Sequence, residues 1–204
     1  MTRFVIVSDE PSTKERDGFV HAYKEVFSEP PYFEHYTYDE VVEDVWDPHV
    51  RDGIIILAFE QEGDDERVVG FGTALPLIKA SADTQKFMES LQDDEKPPID
   101  YARTWYMSEL GVLEPYRRRG LGYSLVKHRL LTIAEQGFEH YLFRTAIEGS
   151  KSLILYRKLG AVEVSKWQDI SASGQVQVNG SQSTHRVYLY GDCGSALEKL
   201  ASAA

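Results

Sequence analysis

The stretch from Glu109 to Val126 constrains this chain more than any other part of the sequence. A β-rich run leads into three successive arginines and two glycines one residue apart, and an amphipathic helix then begins. Free N–H groups and the macrodipole at a helix start attract anions, and glycines let the backbone approach phosphate oxygens. The stretch therefore predicts a strand–turn–helix unit that binds a phosphorylated ligand.

Two common classes of phosphate site do not fit this turn. The lysine signature of nucleoside triphosphatases is absent. A dinucleotide-binding turn needs a third glycine three residues after the second, and that position is Leu125. The alternative to a phosphate site is a basic surface loop with a glycine cap.

Hydrophobic periodicity divides the rest of the chain into helices and strands. Helices are predicted at 16–27, 38–46, 82–91, 120–136 and 150–159. Strands are predicted at 3–8, 53–60, 67–77, 103–113, 140–146, 161–167 and 185–190. The polar residues 61–66 indicate a hairpin, Asp47-Pro48 should end the second helix, and 171–184 should form a loop. Residues 78–102 are polar and long for a connection, which predicts an insertion within a single domain spanning 1–204.

The charge is unevenly distributed along the chain. The formal net charge is −11, which argues against binding to nucleic acid or to an anionic membrane. Residues 1–102 carry 9 basic and 24 acidic side chains, a net of −15, whereas residues 103–204 carry 13 and 9, a net of +4. This division fits an anionic cofactor held by the second half and a cationic partner facing the first, or simply a solvated acidic surface.

Cysteine and histidine usage excludes further classes of site. A single cysteine, Cys193, rules out an internal disulfide framework and, with the short apolar start of the chain, predicts a cytoplasmic protein. The six histidines show no metal-ligand spacing, so no metal site is predicted.

Two motifs resemble those of the GNAT superfamily of N-acetyltransferases. The first is Val112-x-x-x-Tyr-Arg-x-x-Gly-x-Gly122, after a strand and opening a helix. The second is the helix end Leu155-Tyr-Arg-Lys-Leu-Gly160. The resemblance is specific over about residues 103–167 and implies an α+β fold: a central mixed, mostly antiparallel sheet, splayed at the cofactor site and flanked by helices. It also implies acetyl-CoA, or another acyl-CoA, as co-substrate.

The resemblance also implies roles for particular residues. The pyrophosphate turn is Arg117, Arg118, Arg119, Gly120, Leu121 and Gly122, with Tyr123 and Ser124 in the first helical turn. The strand backbone that pairs with the pantetheine arm is Leu110, Gly111 and Val112, where a bulge eased by the glycine would leave an N–H for the developing oxyanion. Ser152 is a further cofactor contact in the second motif.

Two side chains are candidates for proton transfer. Tyr156, by its place in the second motif, is the candidate acid for the CoA thiolate, and Glu109, just before the pantetheine strand, is the candidate base. The acceptor is expected to be small because the predicted insertion at 78–102 would narrow its groove. It is expected to be a cationic amine because carboxylates crowd the acceptor side: Glu29, Glu34, Asp39, Glu40, Glu43, Asp44, Asp93, Asp94 and Glu95. A peptide or protein acceptor and a catalytically silent acyl-CoA-binding module remain alternatives, and a homodimer is left open.

Overall fold

The computed structural model describes residues 2–30, 32–170 and 185–202 of the 204-residue chain. The strands are β1 (Arg3–Ile6), β2 (Ile54–Glu62), β3 (Asp65–Pro76), β4 (Thr104–Tyr106), β5 (Leu110–Val112), β6 (His140–Ala146), β7 (Val162–Asp169) and β8 (His185–Asp192). The α-helices are α1 (Thr13–Ser28), α2 (Tyr38–Val41), α3 (Asp47–Asp52), α4 (Ala82–Glu89), α5 (Leu121–Glu135), α6 (Lys151–Lys158) and α7 (Cys193–Ser202). A π-helical turn, Val42–Trp46, joins α2 to α3, and 3₁₀ turns lie at Leu77–Lys79, Tyr101–Arg103 and Glu114–Tyr116.

The described residues fall into two compact units. The first comprises Met1–Ala74 and Glu109–Arg129, and the second comprises Leu75–Ser108 and Leu130–Ala204. In the first unit β2 pairs antiparallel with both β1 and β3, and β3 pairs antiparallel with β5. The predicted hairpin of β2 and β3 is thereby confirmed.

Among the described strands, the one parallel pairing lies in the sheet of the second unit. The end of β3, Leu75–Pro76, pairs antiparallel with β4, which runs parallel to β6. Strand β8 is antiparallel to both of its neighbours, β6 and β7. The pairings are thus mixed and mostly antiparallel, as predicted.

The first unit is built on an aromatic face of α1. The helix begins with a capping box, in which Ser12 and Glu15 satisfy each other's backbone N–H groups. Its residues Phe19, Tyr23 and Phe27 recur every four positions, so they share one face. Their rings lie 5.2, 5.6 and 6.3 Å from the ring of Phe71 on β3. This cluster fixes the side of the sheet on which the candidate base lies.

The segment predicted as an insertion packs into the core of the second unit. Phe87 of α4 stacks on Tyr188 of β8 with ring centroids 4.3 Å apart. Asp83, in the first turn of α4, accepts a hydrogen bond from Arg144 at 3.1 Å. Residues 78–102 therefore supply part of this unit's core, and their origin as an insertion in one domain stays a prediction.

Three predictions of secondary structure need correction. The single strand predicted at 103–113 is wrong: Thr104–Tyr106 and Leu110–Val112 both pair with β3, but between them two residues of β3 (73–74) stand opposite three (107–109), and this extra residue interrupts the strand. Among the described strands, only the first half also pairs with β6. The helix predicted to end before Pro48 instead continues as α3, because a proline in the first helical turn gives up no hydrogen bond. Helix α7 was not predicted, and the loop predicted at 171–184 lies outside the described residues.

Candidate functional site

The predicted pyrophosphate turn has the backbone of an anion site. Arg118 and Gly120 adopt positive φ angles of 62° and 81°, which turns the chain sharply into α5. The first helical bond runs from Ser124 N–H to Gly120 O at 3.0 Å. The N–H groups of the residues between them, 121–123, lie at the helix start, where no intrahelical acceptor exists. The helix start can therefore donate to an anion.

The space above the two glycines is open. A Cβ built on Gly120 or on Gly122 would meet no protein atom within 4 Å. Gly120 needs its positive φ, but Gly122 has neither a backbone nor a packing reason to lack a side chain. Open space on both sides of a helix start fits a bound pyrophosphate, so these residues suit the cofactor that the sequence predicts.

The first arginine of the turn is held by protein groups. Arg117 Nε donates to Val112 O at 2.8 Å, and its Nη2 donates to the carboxylate of Glu29, the residue just after α1. The side chains of this ion pair are about one-quarter exposed. Arg117 thus ties the turn to both the end of β5 and the end of α1.

The other two arginines differ in their availability. Arg119 donates to Pro115 O at 2.9 Å and lies over the ring of Tyr116, 5.1 Å from its centroid. The Arg118 side chain is exposed and has no partner among the described residues. Of the three, Arg118 is the one whose guanidinium is available to bind a phosphate. The sequence does not show this difference, because all three residues are arginines.

Strand β5 presents alternate main-chain groups to β3. At its ends, Glu109 O accepts from Thr73 N–H at 2.9 Å, and Leu113 N–H donates to a β3 carbonyl at 2.9 Å. Because alternate residues of an antiparallel strand bond to the same neighbour, the N–H and C=O groups of Leu110 and Val112 point away from β3. On this outward edge Val112 O already accepts from Arg117, so the N–H groups of both residues and the carbonyl of Leu110 are the ones suited to pairing with an extended amide such as the pantetheine arm.

Gly111 lacks a side chain for a packing reason, and not because of a bulge at this residue. The β3–β5 register is regular through Gly111, so no bulge lies at this glycine itself. The extra residue lies just before β5, where two residues of β3 (73–74) stand opposite three (107–109) between the pairs Leu75↔Tyr106 and Gly72↔Leu110. A Cβ on Gly111 would lie only 2.3 Å from Cζ of Phe71. The glycine is required because the phenylalanine ring crosses directly over the strand.

The Glu109 carboxylate lies near two tyrosines of the same aromatic cluster, close enough for its charge to act on both. Burial, and then the Glu109 carboxylate, raise the pKa of Tyr23 well above its ordinary value. Burial, and then the nearby carboxylates of Glu34 and Glu109, raise the pKa of Tyr36. The rings of Tyr23 and Tyr36 lie 5.4 Å apart, edge to face, and Tyr36 donates to Glu34 at 2.7 Å. Two carboxylates therefore lie beside one pair of tyrosines.

The other predicted acceptor-side carboxylates do not join this cluster. Glu29 pairs with Arg117, and Glu40 caps α2 by accepting from Thr37. Asp39, Glu43 and Asp44 are exposed in the first unit, whereas Asp93, Asp94 and Glu95 belong to the second. Only Glu34 of the nine shares the surroundings of Glu109.

The second motif lies in the second unit. Tyr156 is 1 % exposed, and its ring stacks on Phe143 with centroids 3.8 Å apart. Ser150, not Ser152, caps α6, because its hydroxyl accepts from Leu153 N–H at 3.2 Å. Ser152 is half-buried in the first helical turn. The roles of Tyr156 and Ser152 stay predictions.

Sequence reasoning missed several residues of the first unit. Neither Tyr23, within the helix predicted at 16–27, nor Tyr36, just before the helix predicted at 38–46, was marked as a site residue, although a tyrosine brings a hydroxyl wherever its ring is buried. The buried Arg129 and His49 were also missed, because periodicity marks a position as internal without marking its charge.

Membrane spans and metal clusters were also sought in the described ranges. No helix there is long and apolar enough to cross a membrane. No group of three or more His, Cys, Asp or Glu side chains in those ranges is arranged to hold a metal ion.

Comparison with known proteins identifies the family. An acetyltransferase of Bacillus subtilis in complex with CoA is 18 % identical, with a TM-score of 0.57 over 94 % of this chain and 99 % of that one. A ribosomal-protein-alanine N-acetyltransferase from Brucella melitensis is 12 % identical, with a TM-score of 0.61 over 94 % and 99 %. The PaiA N-acetyltransferase from Thermoplasma acidophilum in complex with coenzyme A is 12 % identical, with a TM-score of 0.57 over the same shares.

At these identities the likeness is one of fold, and the sequence matches no curated protein significantly. The acetyltransferase (GNAT) family, however, matches residues 19–161, well over half of the sequence. This match confirms the predicted fold and supports acyl transfer from CoA as the reaction. The chain belongs to the GNAT family of acetyltransferases.

Proposed function

We propose that this protein transfers the acetyl group of acetyl-CoA to the primary amine of a small cationic molecule, by direct attack in a ternary complex. The observation that carries the proposal is the position of Glu109, which lies near Tyr23 and Tyr36 and immediately precedes the outward edge of β5. A carboxylate is thereby held next to the backbone suited to the cofactor arm.

The cofactor end of the proposal rests on the first unit. The N–H groups at the start of α5 and the exposed Arg118 would hold the pyrophosphate, while Leu110 and Val112 would pair with the pantetheine amides. Gly120 and Gly122 leave the room that such a ligand needs. Bound acetyl-CoA would supply the thioester that is cleaved.

Glu109 would act as the base. A protonated amine cannot attack, so its proton must leave before the nitrogen bonds to the acetyl carbon and the carbon–sulfur bond breaks. Tyr156 would supply the proton that the sulfur then takes up, since a phenol with a pKa of about 10 suits a thiolate of similar basicity. The tyrosine regains its proton from the solvent, and the amine's proton leaves through Glu109.

The charge of the acceptor follows from the same cluster. Glu34 and Glu109 would attract a cation and disfavour an anion. We expect one ammonium beside Glu109 and a further cationic group of the same molecule near Glu34, whose carboxylate also accepts a hydrogen bond from Tyr36.

The proposal is tested by acetyl-CoA turnover on an amine panel, read by thiol release and product mass. The panel holds a polyamine, an aminoglycoside, lysine and an alanine-terminated peptide. We expect a cationic small molecule to be best, with a KM that rises from low to physiological salt as its attraction is screened over about 8–10 Å. A peptide preference would favour the protein acceptor named for the similar Brucella enzyme. Tight CoA binding without turnover of any amine would favour the silent module.

The base is tested with Glu109→Gln against Glu114→Gln, an exposed glutamate in the following 3₁₀ turn. We expect kcat of the first to fall about 100-fold or more at neutral pH. The deficit should shrink as pH rises, because the free amine then loses its proton to the solvent. Equal kcat in the two variants at every pH would exclude Glu109 as the base.

A further inference from the structure

Helix α5 carries an arginine in the middle of its apolar face. Arg129 is 1 % exposed, and its helical neighbours Leu125, Val126, Leu130 and Ile133 are all fully buried. Arginine is almost never fully buried unless its N–H groups are satisfied, because desolvating a charge is costly. The position is one that leucine or isoleucine would ordinarily fill, so the contacts of the guanidinium should explain its presence.

Those contacts lie where β5 begins. The Nη1 group of Arg129 donates to Thr73 O and to Glu109 O, each at 3.0 Å. Glu109 O also accepts from Thr73 N–H at 2.9 Å, and Glu109 N–H donates to Thr73 Oγ1 at 3.1 Å. A hydrogen-bonded antiparallel pair ordinarily exchanges two main-chain bonds. Here the second bond is replaced: the threonine hydroxyl serves the glutamate N–H, and the arginine serves the threonine carbonyl.

The surroundings are shaped for a guanidinium. A Cβ on Gly72, the preceding residue of β3, would lie 2.9 Å from Nε of Arg129 and 3.1 Å from its Cδ. His49 of α3 is also buried, and its pKa is lowered to about 4, first by burial and further by the charge of Arg129. The histidine Nδ1–H donates to Val45 O at 2.6 Å. The histidine is thus neutral near neutral pH, and the arginine carries the charge.

We infer that Arg129 is a positioning residue, which fixes the backbone of Glu109 and so aims both the candidate base and the outward edge of β5. It reaches the reaction only through Glu109, and its kinetic consequence rests on the function proposed above. The physical consequence, a strand start held by a side-chain clamp, does not. Positioning matters because displacing a reacting group by about 1 Å can cost about 100-fold in rate.

The test compares Arg129→Met, which keeps length and loses all donors, with Arg129→Lys and with Lys127→Met on the exposed face of α5. Amide hydrogen exchange of peptides covering 104–113 is measured beside kcat, KM and the pH profile. We expect Arg129→Met to exchange at least tenfold faster around Glu109 and to lose at least tenfold in kcat. Arg129→Lys should recover part of both, and Lys127→Met should resemble the wild type.

Each outcome decides one statement. A stability loss in Arg129→Met with exchange around Glu109 and kcat like those of Lys127→Met would overturn the inference. If Arg129→Met does not fold, Arg129→Lys and Thr73→Val, which removes the hydroxyl partner of the Glu109 N–H, decide by the same exchange measurement. A wild type that acetylates no amine would remove the proposed function, while the exchange data would still test the clamp.

Discussion

Gly122 provides the sharpest test of the cofactor turn, because stability and binding should move in opposite directions. The residue lies in the first turn of α5, its φ is not positive, and a Cβ there would meet no protein atom within 4 Å. Gly122→Ala should therefore fit the folded chain without strain. It should also place a methyl group where a pyrophosphate would approach the helix start.

The size of both effects follows from the geometry. Alanine in place of an unstrained helical glycine is worth about 0.5–1 kcal/mol, which for a chain of this length raises Tm by about 1–4 °C. Loss of one charge-assisted hydrogen bond to a phosphate costs about 1.5–3 kcal/mol, or about 10- to 100-fold in CoA affinity.

Thermal unfolding and calorimetric titration with CoA measure the two effects. Gly63→Ala is the matched control, since Gly63 also has open space but turns the β2–β3 hairpin with a φ of 64°. That variant should lose stability and keep its CoA affinity. A Gly122→Ala protein that is stable and binds CoA as the wild type does would refute the assignment of this turn to the pyrophosphate.

Two further predictions concern buried rings. Tyr156→Phe keeps the stack on Phe143 and removes the proton, so kcat should fall by about 10- to 1000-fold at unchanged CoA affinity; wild-type turnover would assign the tyrosine to packing alone. The pKa of His49 is lowered to about 4 from its usual 6.5. Between those pH values His49 is therefore protonated in the unfolded chain and neutral in the folded chain. The free energy of unfolding should fall by about 3 kcal/mol as pH drops through that window. Denaturant titrations of His49→Gln should show a smaller fall than the wild type, whereas those of the exposed His35→Gln should match the wild type.

The helices and the hairpin were predictable because they are local. Phe19, Tyr23 and Phe27 recur at helical spacing, and the polar segment between β2 and β3 is long enough for a turn and nothing else. The predicted pyrophosphate turn was equally predictable, because its residue types are set by its backbone conformation and by the anion rather than by distant contacts. The family match over 19–161 confirms the fold that these elements implied.

The broken strand at 104–112 was not predictable in the same way. Both halves have strand-forming residues and both pair with β3, and the break arises because one extra residue lies between the two pairings, at 107–109. The register between two strands is set by tertiary contacts, which residue periodicity does not encode. The reason for the glycine at 111 has the same origin: the ring that requires it belongs to Phe71, forty residues away in sequence.

The candidate site was predictable in outline and not in detail. The motif marked Arg117, Arg118 and Arg119 alike, but Glu29 and nearby carbonyls occupy two of them. Charge counting indicated an acidic acceptor side, yet only Glu34 joins Glu109 beside the tyrosines. Which charged groups are paired depends on where distant segments meet, and a single sequence does not fix that.

The close approach of Gly72 and Arg129 makes the two positions interdependent. A Cβ at 72 would stand 2.9 Å from Nε of Arg129, so any other residue there would displace the guanidinium from the carbonyls that it holds. A glycine in the middle of a strand is mildly unfavourable on its own, and here it leaves the space that the arginine occupies. The free-energy effects of substitutions at 72 and at 129 should therefore not add, because each residue sets what the other position can hold.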